Sequence, residues 1–188
     1  MSHFLLDADK GYQANISFGV KTSTGDSEGD VISRASAETL DAEKLAAVLT
    51  QFLGESQQIP PMYSALMVDG QPLYKLARQG KEVERKSRLV NFSAIDLLRF
   101  QSGVVATADV NVVCSKGTYI RTFSEDVAAS LGLPGHMSGL RRTRTGPFDL
   151  AQSVTLEALI EIAEGEGPES LDQFLLDPEV AIGHLDRV

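Results

Sequence analysis

Val110-Asn111-Val112-Val113-Cys114-Ser115-Lys116-Gly117-Thr118-Tyr119-Ile120-Arg121-Thr122-Phe123 reads as strand, tight loop and helix, and the rest of the chain is organised around it. Ala106, Ala108, Val110, Val112 and Cys114 alternate with polar neighbours, the period of a half-buried strand. Ser115 to Thr118 breaks that period. Gly117 is free to take a positive φ there, and Thr118 is placed to cap a helix. Ile120, Phe123, Val127 and Leu131 then recur at helical spacing, and Gly132 supplies the stop. Arg121 therefore falls in the first turn of a helix. A helix N-terminus favours negative charge, so a cation there calls for an anionic partner. Glu125, one turn on, is the local choice.

Working toward the N-terminus, Leu89–Phe100 and Gly103–Cys114 read as an antiparallel strand pair. Tyr12, Ala14, Ile16, Phe18 and Val20 alternate with polar or small residues and predict another strand, with Tyr12 on its apolar side. A Gly/Ser/Thr/Asp loop covers Thr22 to Asp30, and Val31-Ile32 starts a short return strand. Leu45, Val48, Leu49, Phe52 and Leu53 share a helical face, with Asp41 as N-cap, Leu40 and Leu45 as staple and Gly54 as terminator. Ile59-Pro60-Pro61-Met62 is held extended by its prolines. Ala65–Val68 enters a tight Asp69-Gly70 turn, and Leu73, Leu76 and Ala77 predict a short helix ending at Gly80. Leu156–Ala163 is helical, followed by a linker at Gly165-Glu166-Gly167-Pro168. The sum is an α+β domain, a mostly antiparallel mixed sheet with packed helices. We expect residues 1–150 to form its body and residues 151–188 an acidic helical extension of the same domain.

Composition narrows the function classes. At 188 residues, 43% hydrophobic and 23% charged, the chain has the make-up of a globular domain with a sizeable core. No uncharged apolar run approaches a membrane span, and Asp7 and Asp9 arrive too early for a secretory leader. The single cysteine excludes an internal disulfide and fits a reducing compartment. The net charge of −9 is unevenly spread. Residues 149–188 carry ten acidic residues against Arg187 alone, while residues 1–148 balance at sixteen of each sign. Within that balanced body, Lys75, Arg78, Lys81, Arg85, Lys86 and Arg88 outweigh Glu82 and Glu84, and Arg141, Arg142 and Arg144 form a second basic cluster. Local patches govern polyanion binding, so RNA is a possible partner; a solvated charged surface is the plainer reading.

Most catalytic motifs are missing. Lys116-Gly117-Thr118 lacks the glycine run of a phosphate loop. His3, His136 and His184 have no metal-ligand spacing, and no Gly-x-Ser-x-Gly elbow occurs. What remains is polar chemistry calling for neither metal nor cofactor: Tyr12, Lys116, Tyr119, Arg121 and the arginines beside Leu140.

Four stretches then carry a resemblance. They are Asp9-Lys10-Gly11-Tyr12, the run Gln58-Ile59-Pro60-Pro61-Met62-Tyr63-Ser64-Ala65-Leu66 with Val68-Asp69-Gly70, the run Cys114 to Thr122, and the run Gly135 to Phe148. In this order they resemble the bacterial tRNA pseudouridine synthase B (TruB) family, over about Ser2 to Pro147. The resemblance implies a pseudouridine synthase-like catalytic domain that isomerises a uridine in the T loop of tRNA. The glycosidic bond is broken and the base reattached through carbon, without cofactor or metal. It further implies T-arm RNA as partner and a cytoplasmic location. Tyr12 matches the tyrosine that lies against the target base, and Arg121 the arginine that pairs with the catalytic aspartate. Tyr119 matches a second pocket tyrosine and Leu140 the apolar wall. Lys116, Arg141 and Arg142 complete the expected substrate-binding set.

The departures set further expectations. The family's catalytic aspartate stands in a Gly-Thr-Leu-Asp-Pro context, and these 188 residues contain none. Asp177-Pro178 is the only Asp-Pro and has the wrong neighbours. Met67 stands where lysine is usual. We therefore expect a catalytic domain truncated at its N-terminus and inactive alone, with a non-catalytic RNA-binding or interaction protein as the alternative. Arg121 should face solvent or pair with Glu125, and the pocket beside Tyr12 and Leu140 should be open.

Overall fold

The computed structural model describes residues 5–182; His3, His184, Asp186 and Arg187 lie outside the described residues. Its centre is a six-stranded sheet built on β1 (Lys10–Phe18). On one side β1 pairs with β8 (Ala106–Cys114), which pairs with β7 (Arg88–Gln101) and through it with β4 (Gly54–Gln58). On the other side β1 pairs with β9 (Gly135–Thr145), which pairs with β10 (Phe148–Asp149). Every ladder is antiparallel, as the alternating pattern of β1 and β8 predicts.

Alternation puts Ala14, Ile16 and Phe18 of β1 and Ala106, Ala108, Val110, Val112 and Cys114 of β8 on one buried face. Two helices cover that face. In α1 (Ala42–Gln51) the Asp41 side chain accepts from the Lys44 backbone N–H, and Leu45 and Leu49 point inward. In α3 (Ile120–Ser130) Ile120, Phe123, Val127 and Ala128 do the same. Phe123 lies between Phe92 of β7, at 5.0 Å between ring centroids, and Phe52 after α1, at 5.5 Å and edge-on. Burying such a ring contributes about 1.5–3 kcal/mol.

Four local outcomes differ from the sequence expectation. The strand predicted from Tyr12 to Val20 breaks at Gly19, whose φ is +102°. A Cβ there would lie 2.8 Å from the carbonyl oxygens of Ala35 and Val104, so only glycine lets the chain turn between them. Val20 then opens β2 (Val20–Thr22), which pairs with β3 (Val31–Arg34) in a separate ribbon. Second, Gly54 does more than end α1, since it begins β4, a polar edge strand without apolar alternation. Third, Thr118 does not cap α3; its hydroxyl donates to the Ser115 carbonyl at 2.9 Å, and Tyr119 occupies the cap position without a side-chain bond. Fourth, Gly135–Thr145, given no element from sequence, is a full strand. Its arginine-rich pattern hides the period, and pairing along the whole of β1 imposes it.

The predicted hairpin is present as β5 (Met67–Val68) and β6 (Gln71–Pro72) around Asp69 and Gly70, both at positive φ. Helix α2 (Leu73–Arg78) follows it. Met67 is 61% exposed. Beyond β10, a short turn at Leu150–Gln152 leads to α4 (Leu156–Glu166), a second turn at Pro168–Phe174 and α5 (Glu179–Ile182). Leu156, Ile160 and Leu175 on this segment stay exposed, so it adds little to the core. No helix among the described residues is long and apolar enough to cross a membrane.

Candidate active site

The start of β1, the neighbouring part of β9 and the loop before α3 bring Tyr12, Arg142 and Lys116 around one cavity at an end of the sheet. Tyr119, Arg121, Leu140 and Arg141 do not line it. Lys10 at the head of β1 lies opposite Cys114 at the end of β8, so the loop after Cys114 and the helix it enters flank the Tyr12 end of β1. On β1's other side Tyr12 faces Arg142 and Ala14 faces Leu140. The Arg142 guanidinium carbon sits 5.3 Å from the centroid of the Tyr12 ring, within reach of a cation–π contact. A cavity of about 480 Å³ opens here, lined by Tyr12, Arg142, Lys10, Lys116, Thr118 and Leu5 among others. That is roomy enough for a nucleoside-sized ligand.

Lys116 lies at the cavity rim, with its ammonium 2.6 Å from the Asp7 carboxylate. Leu140 is 46% exposed, so the apolar wall it offers is open. Arg141 pairs with Gln13, one step from the Tyr12–Arg142 pair. Alternation therefore sends Arg141 to the opposite face of the sheet from Arg142, and the two adjacent arginines serve different surfaces.

Arg121 has its anion, and it is not Glu125. Its Nε lies 3.1 Å from Oδ2 of Asp26, in the loop between β2 and β3, and both side chains are largely buried at 23% and 19% exposure. The contact is an ion pair without hydrogen-bond alignment at Nε. Nη1 donates to the backbone carbonyls of Thr24, at 3.2 Å, and Tyr63, at 3.3 Å. Glu125 pairs instead with Lys21, at 3.4 Å. The expected Arg121–Glu125 pair fails because loop 23–30 folds over the first turn of α3 and supplies a better-buried carboxylate. Gly25 permits that approach: its φ is +75°, and a Cβ would stand 2.8 Å from the Glu125 carboxylate.

Asp26 is itself tightly held. Oδ1 accepts from the Thr24 hydroxyl and from the Glu28 N–H, at 3.2 Å for the latter. Its carbonyl accepts from the Thr22 hydroxyl at 2.6 Å. The Met137 N–H donates to the Gly25 carbonyl at 3.0 Å, tying the loop to β9. With both carboxylate oxygens engaged, Asp26 orients Arg121 rather than presenting a free nucleophile.

Tyr119 is positioned through its backbone. The buried Gln58 amide accepts from the Tyr119 N–H at 2.7 Å and donates to the Tyr119 carbonyl at 3.1 Å. Asp26 and Gln58 are the two residues that sequence reasoning missed. Nothing in the sequence separates Asp26 from the other polar residues of its loop; Gln58 opens the Gln-Ile-Pro-Pro run, which gave it a signal without a role.

Cys114 is buried, and burial pushes its thiol up, so it is an inert core residue as expected. His136 is buried on β9, with Nδ1 2.8 Å from the Val20 carbonyl. Among the described residues no three His, Cys, Asp or Glu side chains are grouped to hold a metal.

Comparison with known proteins places the chain as a whole. The family model described as TruB family pseudouridylate synthase (N terminal domain) matches residues 1–120. The model for the tRNA pseudouridylate synthase B C-terminal domain matches residues 121–182. The tRNA pseudouridine synthase B of Pseudomonas aeruginosa is 48% identical over 183 residues, which is 97% of this chain and 59% of that protein. That of Ectopseudomonas mendocina is 51% identical over 174 residues, 93% of this chain and 56% of that protein. The chain thus spans under two thirds of the length of the curated relatives it matches. Among solved structures, one from a Cbf5–Nop10–Gar1 complex covers 97% of this chain and 46% of its own, at 27% identity and a TM-score of 0.69. An H/ACA RNP bound to a substrate RNA shares the fold, at 24% identity and a TM-score of 0.65, over 97% of this chain and 44% of its own.

Proposed function

This chain belongs to the TruB family of pseudouridylate synthases, and from that premise we propose that its cleft is the uridine pocket of a tRNA pseudouridine synthase acting on the T arm, in the cytoplasm. The observation that carries this reading is the Tyr12–Arg142 pair on the cavity wall, beside a helix whose first turn holds Arg121. An enzyme working on a nucleobase must take it out of the stack and hold it against aromatic and apolar surfaces. Tyr12 offers the ring and Leu140 an exposed apolar side chain on the neighbouring strand. Arg142 and Lys116 bring positive charge to a ligand that carries phosphates.

In the isomerisation the bond from the ribose to the base nitrogen breaks, the base turns, a bond to a ring carbon forms, that carbon loses its proton and the freed nitrogen gains one. On this reading Tyr12, on the cavity wall, lies against the base and moves the proton from that carbon. Arg121, held rigid by Asp26 and two carbonyls, would orient the nucleophilic carboxylate that the family chemistry calls for. Asp26 cannot serve as that nucleophile while Arg121, Thr24 and Glu28 occupy both its oxygens. These 188 residues hold no Gly-Thr-Leu-Asp-Pro motif, so the chain by itself supplies the base-holding pocket and not the nucleophile.

Binding of a T-arm stem-loop, followed by fluorescence anisotropy, tests the pocket. Tyr12→Leu and Arg142→Ala should each weaken binding several-fold while the fold is retained. Unchanged affinity in both variants would reject the placement.

A further inference from the structure

Helix α3 carries three stripes. Ile120, Phe123, Val127 and Ala128 face the core, Arg121 faces the Asp26 loop, and Glu125 faces Lys21 of β2. The third stripe, Thr122, Asp126, Ala129 and Ser130, lines a second cavity of about 510 Å³ between α3, the end of α1 and the edge strand β4. The proposed uridine pocket makes no use of it.

The chemistry of this cavity is specific. The Asp126 carboxylate takes no hydrogen bond and no ion pair among the described residues, although it is half-buried. Burial first and the neighbouring Glu125 second push its carboxyl up to about 6, with Lys21 acting weakly the other way from its place on Glu125. Thr122 lies one turn before it. The Ser124 and Ser130 hydroxyls each bond back to the carbonyl four residues earlier, at 2.9 Å, which is the ordinary fate of a hydroxyl in a helix. The Thr122 hydroxyl does not: it is buried with no partner. A buried polar atom left without a partner is costly, and a ligand group is one of the things that can satisfy it. Gln57 is also among the lining residues, and Phe52 and Ile59 make the apolar wall. The Phe52 ring is fixed edge-on against Phe123.

The geometry points to a binding site for a primary alkylammonium group, whose N–H donors meet Asp126 and Thr122 while its stem lies along Phe52 and Ile59. One carboxylate is too few for a calcium or magnesium site, which draws on several oxygen ligands. The same carboxylate repels anions. An ammonium on a flexible aliphatic stem matches both the single charge and the apolar wall. Two sources share this chemistry, a free aliphatic diamine and a lysine side chain of another polypeptide.

Titration of the isotope-labelled chain at pH 8, where Asp126 is ionised, separates them. The probes are cadaverine, acetyl-lysine amide and, as uncharged control, n-pentanol, read by NMR shifts at Ile59, Thr122 and Ala129. Saturable shifts are expected with the amines and not with pentanol. Asp126→Asn should weaken amine binding at least tenfold. Thr122→Val, which removes the unpartnered hydroxyl without changing shape, should weaken it several-fold with no loss of stability. Tighter binding of cadaverine assigns the site to free diamines, and tighter binding of acetyl-lysine amide assigns it to a lysine. Amine affinity unchanged in both variants, equal binding of pentanol, or no saturable shift up to tens of millimolar amine would overturn the proposal.

Discussion

Arg121 and Asp26 form an ion pair at 3.1 Å that joins the first turn of α3 to the loop between β2 and β3, with both side chains largely withdrawn from solvent. The pair meets the requirement that dipole reasoning set for Arg121, a cation at a positive helix end. It also makes the loop's conformation a condition for the position of the guanidinium.

Removing either partner should therefore be costly. Arg121→Met or Asp26→Asn should each lower stability by about 1–3 kcal/mol, because the surviving partner keeps its burial and loses its counter-charge. Urea unfolding of both variants and the double variant checks this. A coupling energy of about 1 kcal/mol or more is expected, since the residues touch. A solvent-facing or Glu125-paired Arg121, as the local spacing suggests, would instead make Arg121→Met nearly silent.

Gln58 makes a second test away from the cleft. Gln58→Leu leaves the Tyr119 N–H without its partner in a part-buried place, while the Tyr119 carbonyl keeps the Phe123 N–H at 3.0 Å. A loss of about 1–3 kcal/mol is expected, from one donor left unpaired. Faster exchange of the Tyr119 amide than of amides in the middle of β8 would locate the damage at the entry to α3.

The strand pattern was legible because Ala14, Ile16, Phe18 and Ala106 to Cys114 bury one face against helices and leave the other polar. Period and burial then carry the same information. β4 and β9 were not legible: β4 is a polar edge, and β9 takes its period from pairing with β1 rather than from its own apolar residues. Tyr12, Arg142 and Lys116 were named from sequence and line one cavity. The partner of Arg121 could not be named, because the contact depends on where a loop folds, and local spacing offers only Glu125.

The two faces of β9 predict unequal roles for adjacent arginines. Arg142→Ala should weaken T-arm RNA binding and reduce the slope of log affinity against log salt by about 1, the loss of one phosphate contact. Arg141→Ala, on the opposite face, should leave the slope nearly unchanged. Equal effects would mean that RNA reaches both faces or neither.

Asp126 gives a pH dependence with a defined sign. Its folded-state value of about 6 lies above the ordinary 3.8, so the native chain binds this proton more tightly than the unfolded chain. Its contribution is fully present below about pH 4 and is lost as pH rises through 6. Allowing for solvent screening of a half-buried group, the change is about 1 kcal/mol. The difference in unfolding free energy between the parent chain and Asp126→Asn, followed from pH 4 to 7, isolates it. A flat difference would show that Asp126 titrates as an ordinary surface carboxylate.

On the proposed function, these 188 residues hold a T-arm uridine in the Tyr12–Arg142 cleft and bring no nucleophile to it. The most direct test is to saturate unmodified T-arm RNA with the purified 188-residue chain and measure pseudouridine in the recovered RNA. We expect saturable binding, lost on Tyr12→Leu, with the uridine recovered intact. Pseudouridine formed in proportion to the chain added would contradict the account, as would the absence of any saturable binding.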